Sequence, residues 1–133
     1  VESGERSAVE ALLATAGATV WIDDEAQMDA VTAVSGSGPA YFFLLIEAMT
    51  AAGTRQGLPA ATAAKLAVHT ALGAARMAIE AGESPGVLRQ RVTSPGGTTA
   101  AALDTFAAGG FAELVDRAVA AATARGQELA RGA

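Results

Sequence analysis

A run of hydroxyl residues, proline and glycine carries the clearest chemical signal in this sequence. It reads Val-Thr-Ser-Pro-Gly-Gly-Thr-Thr over residues 92–99 and leads into an alanine-rich helical pattern. Ser94 is a candidate helix cap, Pro95 suits a first helical turn, and Gly96 and Gly97 leave the backbone uncovered. Unpaired N–H groups and the positive end of the helix dipole attract anions at such a start. The pattern predicts a site for a carboxylate or phosphate, and the alternative is an ordinary capped turn.

Other residues with chemical potential form weaker patterns. The acidic run 23–25 is typical of a solvated turn, and His69 has no flanking carboxylate or cysteine, which favours a solvated or boundary histidine over a catalytic one. Gly36 and Gly38 follow an apolar run, but Tyr41 occupies the third glycine position of a dinucleotide-binding loop. The sequence shows no metal-ligand cluster, no nucleophile–base pair and no Walker-type loop.

Composition limits the partners that this chain can have. Of its 133 residues 35 are alanine, 51% are hydrophobic and 5% are aromatic, which indicates helices packed closely through small side chains. A net charge of −5 without a long basic run argues against nucleic acid or an anionic membrane as the main partner. The chain has no cysteine, which fits a reducing compartment, and its longest uninterrupted apolar run, residues 39–46, is shorter than the ~18 residues of a membrane span. We therefore expect a soluble cytoplasmic protein.

The first part of the chain has the pattern of an α/β domain. Residues 4–16 have helical spacing that ends at Gly17, and residues 18–23 predict a short strand through Val20, Trp21 and Ile22. A lone strand is not stable, so its sheet must be supplied by other residues. Residues 1–25 are therefore interpreted as the C-terminal remnant of a preceding domain.

The rest of the chain, residues 26–133, predicts a mainly α fold. The predicted helices cover residues 25–34, 39–55, 59–81, 84–92, about ten residues after the double glycine, and 111–131, with a break at residues 35–39. The helix over residues 39–55 is apolar around its whole circumference, which a small domain of thin helices cannot bury alone. A second copy of the chain is the simplest cover, so we predict a homodimer.

Two stretches resemble the hallmark regions of the pyrroline-5-carboxylate reductase family. They are DAVTAVSGSGPAYFF at residues 29–43 and LRQRVTSPGGTTAAAL at residues 88–103, in the correct order and spacing. The resemblance implies reduction of 1-pyrroline-5-carboxylate to L-proline with NADPH or NADH. It also implies an N-terminal Rossmann domain followed by a helical-bundle dimerisation domain of the 6-phosphogluconate dehydrogenase C-terminal-like class. The Rossmann domain, which binds most of the cofactor, is represented here only by its terminal helix and strand.

The resemblance also assigns roles to individual residues. The segment 94–99 is expected to hold the substrate carboxylate through backbone amides and hydroxyl groups, and Thr99 is expected to lie beside the pyrroline ring as the catalytic residue. Glu83 is a weaker candidate near the ring nitrogen, and Ser35 is one for the wall of the same cleft. The full set of substrate-binding residues is Ser94, Gly96, Gly97, Thr98 and Thr99.

Three functions remain open from the sequence. The first is the reductase, with the substrate half of its site in this chain, and the second is a helical dimerisation module with no ligand of its own. The third is the helical domain of another dehydrogenase of similar architecture, but those enzymes lack the SPGGTT segment. In the reductase hypothesis the dimer, or a higher oligomer of dimers, binds a small-molecule substrate and no metal, and this chain alone is expected to be inactive.

Overall fold

The structure, a computed structural model, describes residues 3–15 and 17–132, without the side chains of residues 3 and 4. Helices dominate this part of the chain, and it contains no assigned strand. A 3-10 turn (Glu25–Gln27) precedes α2, and a π-helical turn (Thr32–Gly36) follows it. The α-helices are α1 (Ser3–Leu13), α2 (Met28–Val31), α3 (Gly38–Arg55), α4 (Ala60–Glu80), α5 (Pro85–Arg91), α6 (Thr98–Ala108) and α7 (Phe111–Arg131).

The prediction of a strand at residues 18–23 is wrong for this structure. The segment folds back on α1 through side chains: the guanidinium of Arg6 lies 4.9 Å from the centre of the Trp21 ring, and the Trp21 indole N–H donates to the Glu10 carboxylate. Arg6 also lies 3.8 Å from Asp23. A strand needs a neighbour for its ladder of hydrogen bonds, and the described residues offer none. The predicted helix over residues 4–16 is present as α1, and its predicted last residue, Ala16, lies outside the described residues.

The predicted break at residues 35–39 is reduced to a single residue. Ser37 alone separates the π turn from α3, and its N–H donates to the carbonyl of Thr32 at 2.8 Å. The Tyr41 hydroxyl donates to the carbonyl of Ala33 at 3.0 Å and ties α3 to the π turn. Pro39 lies in the first turn of α3, as predicted, because its missing N–H has no partner to lose there.

The resulting helical segment Glu25–Arg55 is long and apolar enough to cross a membrane by length and composition alone. Its best 18-residue window has a mean hydropathy of 1.2, and 11% of that window is buried. An apolar helix that packs inside a protein assembly passes the same test, so this property is weak evidence for a membrane span.

Helices α3 and α4 form a hairpin held together by small side chains. Gly57 has a positive φ of 97°, and with Pro59 it turns the chain between the two helices. Ala63 and Ala67 of α4 are buried against α3. A Cβ atom on Gly53 would lie 3.3 Å from that of Ala63, which shows how closely the two backbones approach.

Helix α7 packs against α2, the π turn and α6. Gly110, with a φ of 69°, makes the tight connection between α6 and α7, and the rings of Phe106 and Phe111 lie 5.4 Å apart across it. Asp29 of α2 approaches α7 at Gly126, where no side chain intervenes. These contacts join the two ends of the helical region.

The single chain buries little of its apolar surface. Among the described residues, the buried hydrophobic side chains are Ala33, Ala63 and Ala67. Large side chains on α3 and α4 are exposed, which is unusual for an isolated globular chain and typical of an interaction surface. They are Phe42, Phe43, Leu44, Leu45, Met49, Leu66, Val68, Leu72, Met77 and Ile79.

Candidate functional site

The Ser-Pro-Gly-Gly segment forms a tight turn directly before α6. The Gly97 N–H donates to the carbonyl of Ser94 at 3.0 Å and closes the turn. Pro95 occupies its second position and Gly96, with a φ of 68°, its third, which is the pattern of a type II turn. A side chain at Gly96 would be strained because few residues other than glycine adopt this backbone conformation.

The predicted cap of the helix is therefore displaced by three residues. Gly97, rather than Ser94, is the N-cap of α6, and no side chain caps the helix. The prediction placed Ser94 and Pro95 at the helix start because both types favour such positions, but Pro-Gly in the middle of a turn is the stronger local signal. A Cβ atom on Gly97 would lie 3.2 Å from the Ser94 carbonyl oxygen, so the turn itself favours glycine here.

The start of α6 presents backbone donors without a capping side chain. The Gly97 carbonyl already accepts the first helical bond, from Ala101 at 3.1 Å, and the Gly97 N–H is used by the turn. The N–H groups of Thr98, Thr99 and Ala100 follow. In an α-helix each N–H bonds the carbonyl four residues earlier, and for these three residues that carbonyl lies before the helix begins. These N–H groups point out of the helix start together with its positive dipole end, an arrangement that can bind a carboxylate.

Two hydroxyl groups flank these backbone donors. Thr98 is exposed, whereas Thr99 is half-buried on the first turn of α6. Ser94, Pro95 and Gly96 are exposed, so the turn lies on the surface of the single chain. The structure thus brings together the contiguous residues 94–99, and a closed cleft around them requires walls from outside this chain.

Helix α5 leads into the turn through Val92 and Thr93. The Ser84 side chain accepts from the Val87 N–H at 3.4 Å and begins α5, as the sequence predicted. At the other end, the Thr93 hydroxyl donates to the Arg89 carbonyl at 2.6 Å. The backbone is therefore held by local hydrogen bonds up to the residue before Ser94.

The two weaker site candidates have other contacts in this structure. Glu83 accepts two hydrogen bonds from the guanidinium of Arg91, an interaction that the sequence did not indicate because no local rule pairs residues eight apart. Ser35 lies in the π turn and donates to the Val31 carbonyl at 2.9 Å. The π turn packs against α2, α3 and α7, and no extensive packing joins it to α6 in the described ranges. The roles of Glu83 beside the ring nitrogen and of Ser35 in the cleft wall stay predictions.

Other titratable groups do not assemble into a second site around the turn. His69 is exposed on α4, as the sequence predicted, beside Lys65 in an open surface groove. A smaller groove of about 120 Å³ between α3 and α4 is lined mainly by apolar side chains, including Met49 and Leu66. Within residues 3–15 and 17–132, no three His, Cys, Asp or Glu side chains are placed to hold a metal ion.

Comparison with known sequences gives a consistent family match. A family model described as pyrroline-5-carboxylate reductase dimerisation matches residues 25–129. The chain is 59% identical over 119 residues to the pyrroline-5-carboxylate reductase of Pseudomonas aeruginosa, an alignment that covers 90% of this chain and 44% of that protein. The chain therefore spans about half the length of the curated relatives it matches.

Solved structures agree in fold. The chain is similar to a pyrroline-5-carboxylate reductase from Coxiella burnetii, with a TM-score of 0.93 and 43% identity over 97% of this chain and 48% of that one. It also matches the Plasmodium falciparum pyrroline carboxylate reductase with NADP bound, with a TM-score of 0.80 and 33% identity over 94% of this chain and 47% of that one.

Proposed function

Since this chain belongs to the pyrroline-5-carboxylate reductase dimerisation family, we propose that it is the dimerisation and substrate-binding part of an enzyme that makes L-proline. The proposed reaction is reduction of 1-pyrroline-5-carboxylate with NADPH or NADH. In this assignment residues 1–25 are the end of a nicotinamide-binding domain and residues 26–133 form the helical domain. The relatives named above, which are reductases of this kind, support the reaction.

The uncapped start of α6 is the observation that carries the proposal. The substrate carboxylate accepts hydrogen bonds from the N–H groups of Thr98, Thr99 and Ala100, next to the turn that Ser94, Gly96 and Gly97 form. Each charge-assisted hydrogen bond contributes about 1.5–3 kcal/mol, so two or three suffice to hold a small acid without a lysine or arginine. The hydroxyl groups of Ser94, Thr98 and Thr99 add neutral donors and acceptors.

The reaction demands orientation more than acid–base catalysis. The nicotinamide, when bound, supplies a hydride to the carbon of the C=N bond, and the imine nitrogen, protonated in water, becomes the amine of proline. This chain holds the carboxylate at α6 and thereby fixes which carbon faces the donor. Thr99, half-buried in the first turn of the helix, is the residue that we place beside the ring.

Gly36 and Gly38, the glycines that resemble part of a dinucleotide-binding loop, are in helical surroundings in the described part of the chain. They lie in the π turn and at the start of α3, without the strand that precedes such a loop. We therefore assign most of the NADPH or NADH contacts to the N-terminal domain of the enzyme. The relative from Plasmodium falciparum, solved with NADP bound, supports a nicotinamide cofactor of this type.

The exposed apolar faces of α3 and α4 support a homodimer in which each chain covers the other. Such a dimer removes the large side chains of both hairpins from water, and it supplies a further wall for the exposed turn at Ser94. Higher oligomers of dimers fit the same assignment. We place the enzyme in the cytoplasm, without a nucleic-acid or membrane partner, because its charge is −5 and the apolar segment Glu25–Arg55 is accounted for by the dimer.

A steady-state assay of the full-length reductase that carries this chain tests the proposal. We expect oxidation of NADPH or NADH that depends on pyrroline-5-carboxylate. Gly97→Val should raise the KM for that substrate and leave the KM for the nicotinamide unchanged, because the new side chain meets the turn and the anion. The proposal would be contradicted if the parent enzyme had no activity. It would also be contradicted if Gly97→Val had the same KM for pyrroline-5-carboxylate as the parent enzyme.

A second candidate function is a dimerisation module without a ligand, which the large exposed apolar surface favours. Titration of isotope-labelled chain with proline separates the two functions. Shifts of the amide signals of residues 97–100 support the substrate site, whereas unchanged signals support the module.

A further inference from the structure

A bidentate ion pair brackets α5. Arg91, the last residue of the helix, donates through Nη2 to Oε1 of Glu83 at 2.6 Å and through Nη1 to Oε2 of the same carboxylate. Glu83 lies two residues before the helix begins. Long side chains on a helix point towards its N-terminus, which is the direction in which the Arg91 side chain meets Glu83.

This pair has two contacts, whereas Arg76–Glu80 on α4 and Arg125–Glu128 on α7 each have one. Arg76 and Glu80 of α4 approach to 3.5 Å through one nitrogen, and their side chains are 69% and 68% exposed. The Glu83 side chain is 31% exposed and that of Arg91 is 63% exposed, and both Glu83 oxygens are used. A two-point contact fixes the planes of both groups, which a single exposed contact does not do.

Helix α5 has few other restraints within the chain. It makes no extensive packing contact with another described helix, and seven residues are too few for a helix that is stable by itself. Within the described chain its position therefore depends on local interactions: the Ser84 cap at its start, the Thr93 hydroxyl bond at its end, and the Glu83–Arg91 pair that spans it.

We propose that Glu83 and Arg91 are positioning residues for the substrate carboxylate. Only Val92 and Thr93 separate Arg91 from Ser94, whose carbonyl holds the Gly97 N–H and so sets the start of α6. A shift or fraying of α5 thus moves the turn that borders the carboxylate. The inference rests on the proposed function. In it, the Glu83 carboxylate binds Arg91 and does not contact the substrate ring.

Loss of the pair should affect substrate capture more than the chemical step. The turn then samples more orientations, and the bound carboxylate must order it at an entropic cost that appears in KM. Once the substrate is bound, α6 and Thr99 have the same arrangement as before, so kcat changes little. The nicotinamide contacts lie mainly on the other domain, so its KM is unaffected.

The test compares Arg91→Lys, Glu83→Gln and the double variant with the parent full-length reductase. Arg91→Lys keeps the charge but loses the two-point contact, and Glu83→Gln keeps the shape but loses the charge. We expect the KM for pyrroline-5-carboxylate to rise about twofold to fivefold in each single variant, with kcat nearly unchanged. The double variant should resemble either single variant, because the same interaction is lost in all three.

The control pair is Arg76→Lys and Glu80→Gln on α4, which should leave the kinetic constants unchanged. Unchanged KM values for Arg91→Lys and Glu83→Gln in an active parent enzyme would overturn the positioning role. So would additive effects in the double variant, or a fall in kcat at constant KM. A parent enzyme that does not reduce pyrroline-5-carboxylate would instead overturn the proposed function, and this inference with it.

Discussion

The carboxylate of Asp29 occupies the space next to Gly126 where any other residue would carry its side chain. A Cβ atom on Gly126 would lie 2.7 Å from Oδ1 of Asp29, closer than van der Waals contact allows. Gly126 lies inside α7, where glycine normally costs about 1 kcal/mol relative to alanine. The close approach of α2 and α7 explains why the helix contains glycine at this position.

Gly126→Ala is therefore expected to destabilise the protein although alanine is the better helix former. We expect the free energy of unfolding to fall by no more than about 1 kcal/mol, since the new methyl group must displace the carboxylate of the half-exposed Asp29 side chain. Denaturant unfolding at one fixed protein concentration measures it. Asp29→Ala in the same chain should remove the penalty, and a stabilised single variant would show that the helices do not meet this closely.

The hydrogen bond from Tyr41 to Ala33 is expected to hold the π turn against α3. Tyr41→Phe removes the hydroxyl but keeps the ring, so the Ala33 carbonyl loses its side-chain donor. We expect a loss of about 1 kcal/mol in the free energy of unfolding, measured by the same method. Equal stability of Tyr41→Phe and the parent would refute the role of this bond.

The exposed face of α3 should be the dimer interface. Phe42→Glu places a charge where the partner chain would cover an apolar ring, so we expect a shift from dimer to monomer or aggregate at micromolar concentration. Sedimentation velocity measures the shift. Gln56→Glu adds the same charge just after α3 and should leave the dimer intact. A parent chain that is a folded monomer at these concentrations would rule out the obligate dimer.

Thr99→Val should lower catalytic efficiency while the fold is retained. The variant keeps the shape of the side chain but removes the hydroxyl beside the proposed ring position, which should cost about 1–3 kcal/mol of transition-state stabilisation. The measurement is kcat/KM for pyrroline-5-carboxylate in the full-length reductase. Thr105→Val is the matched control, because its hydroxyl bonds the Ala101 carbonyl on the same helix. An equal loss of kcat/KM in both variants would argue for a structural role of Thr99. So would a loss of thermal stability with unchanged kcat/KM.

The 133-residue chain alone should neither bind NADPH appreciably nor reduce the substrate. Its glycine-containing segment at residues 35–39 joins the π turn to α3 and is not preceded by the strand of a phosphate-binding loop, so the main cofactor contacts are expected elsewhere in the enzyme. Isothermal titration calorimetry checks this, with the full-length reductase as the positive control. Sub-millimolar affinity of the isolated chain for NADPH would contradict the assignment.

Local patterns in the sequence determined most of the helices. Proline and capping residues specify where α3 and α5 begin, since Pro39 lacks an N–H that a helix start does not need and the Ser84 side chain accepts a bond three residues away. The residue types of α3 also predict a surface that one chain cannot bury. At 3.6 residues per turn they place apolar side chains on every side of the helix. The SPGGTT segment predicts the candidate site from residue types alone, and its role stays a prediction.

Tertiary structure decided what these local rules leave open. Residues 18–22 have strand-forming side chains, but a strand exists only when a neighbouring backbone pairs with it. Gly97 rather than the predicted Ser94 is the N-cap of α6, because residues 94–97 form a turn closed by the Ser94 carbonyl and so cannot also begin the helix. The contacts of Glu83 with Arg91 and of Asp29 with Gly126 join residues beyond any local spacing rule, so only the path of the folded chain brings them together.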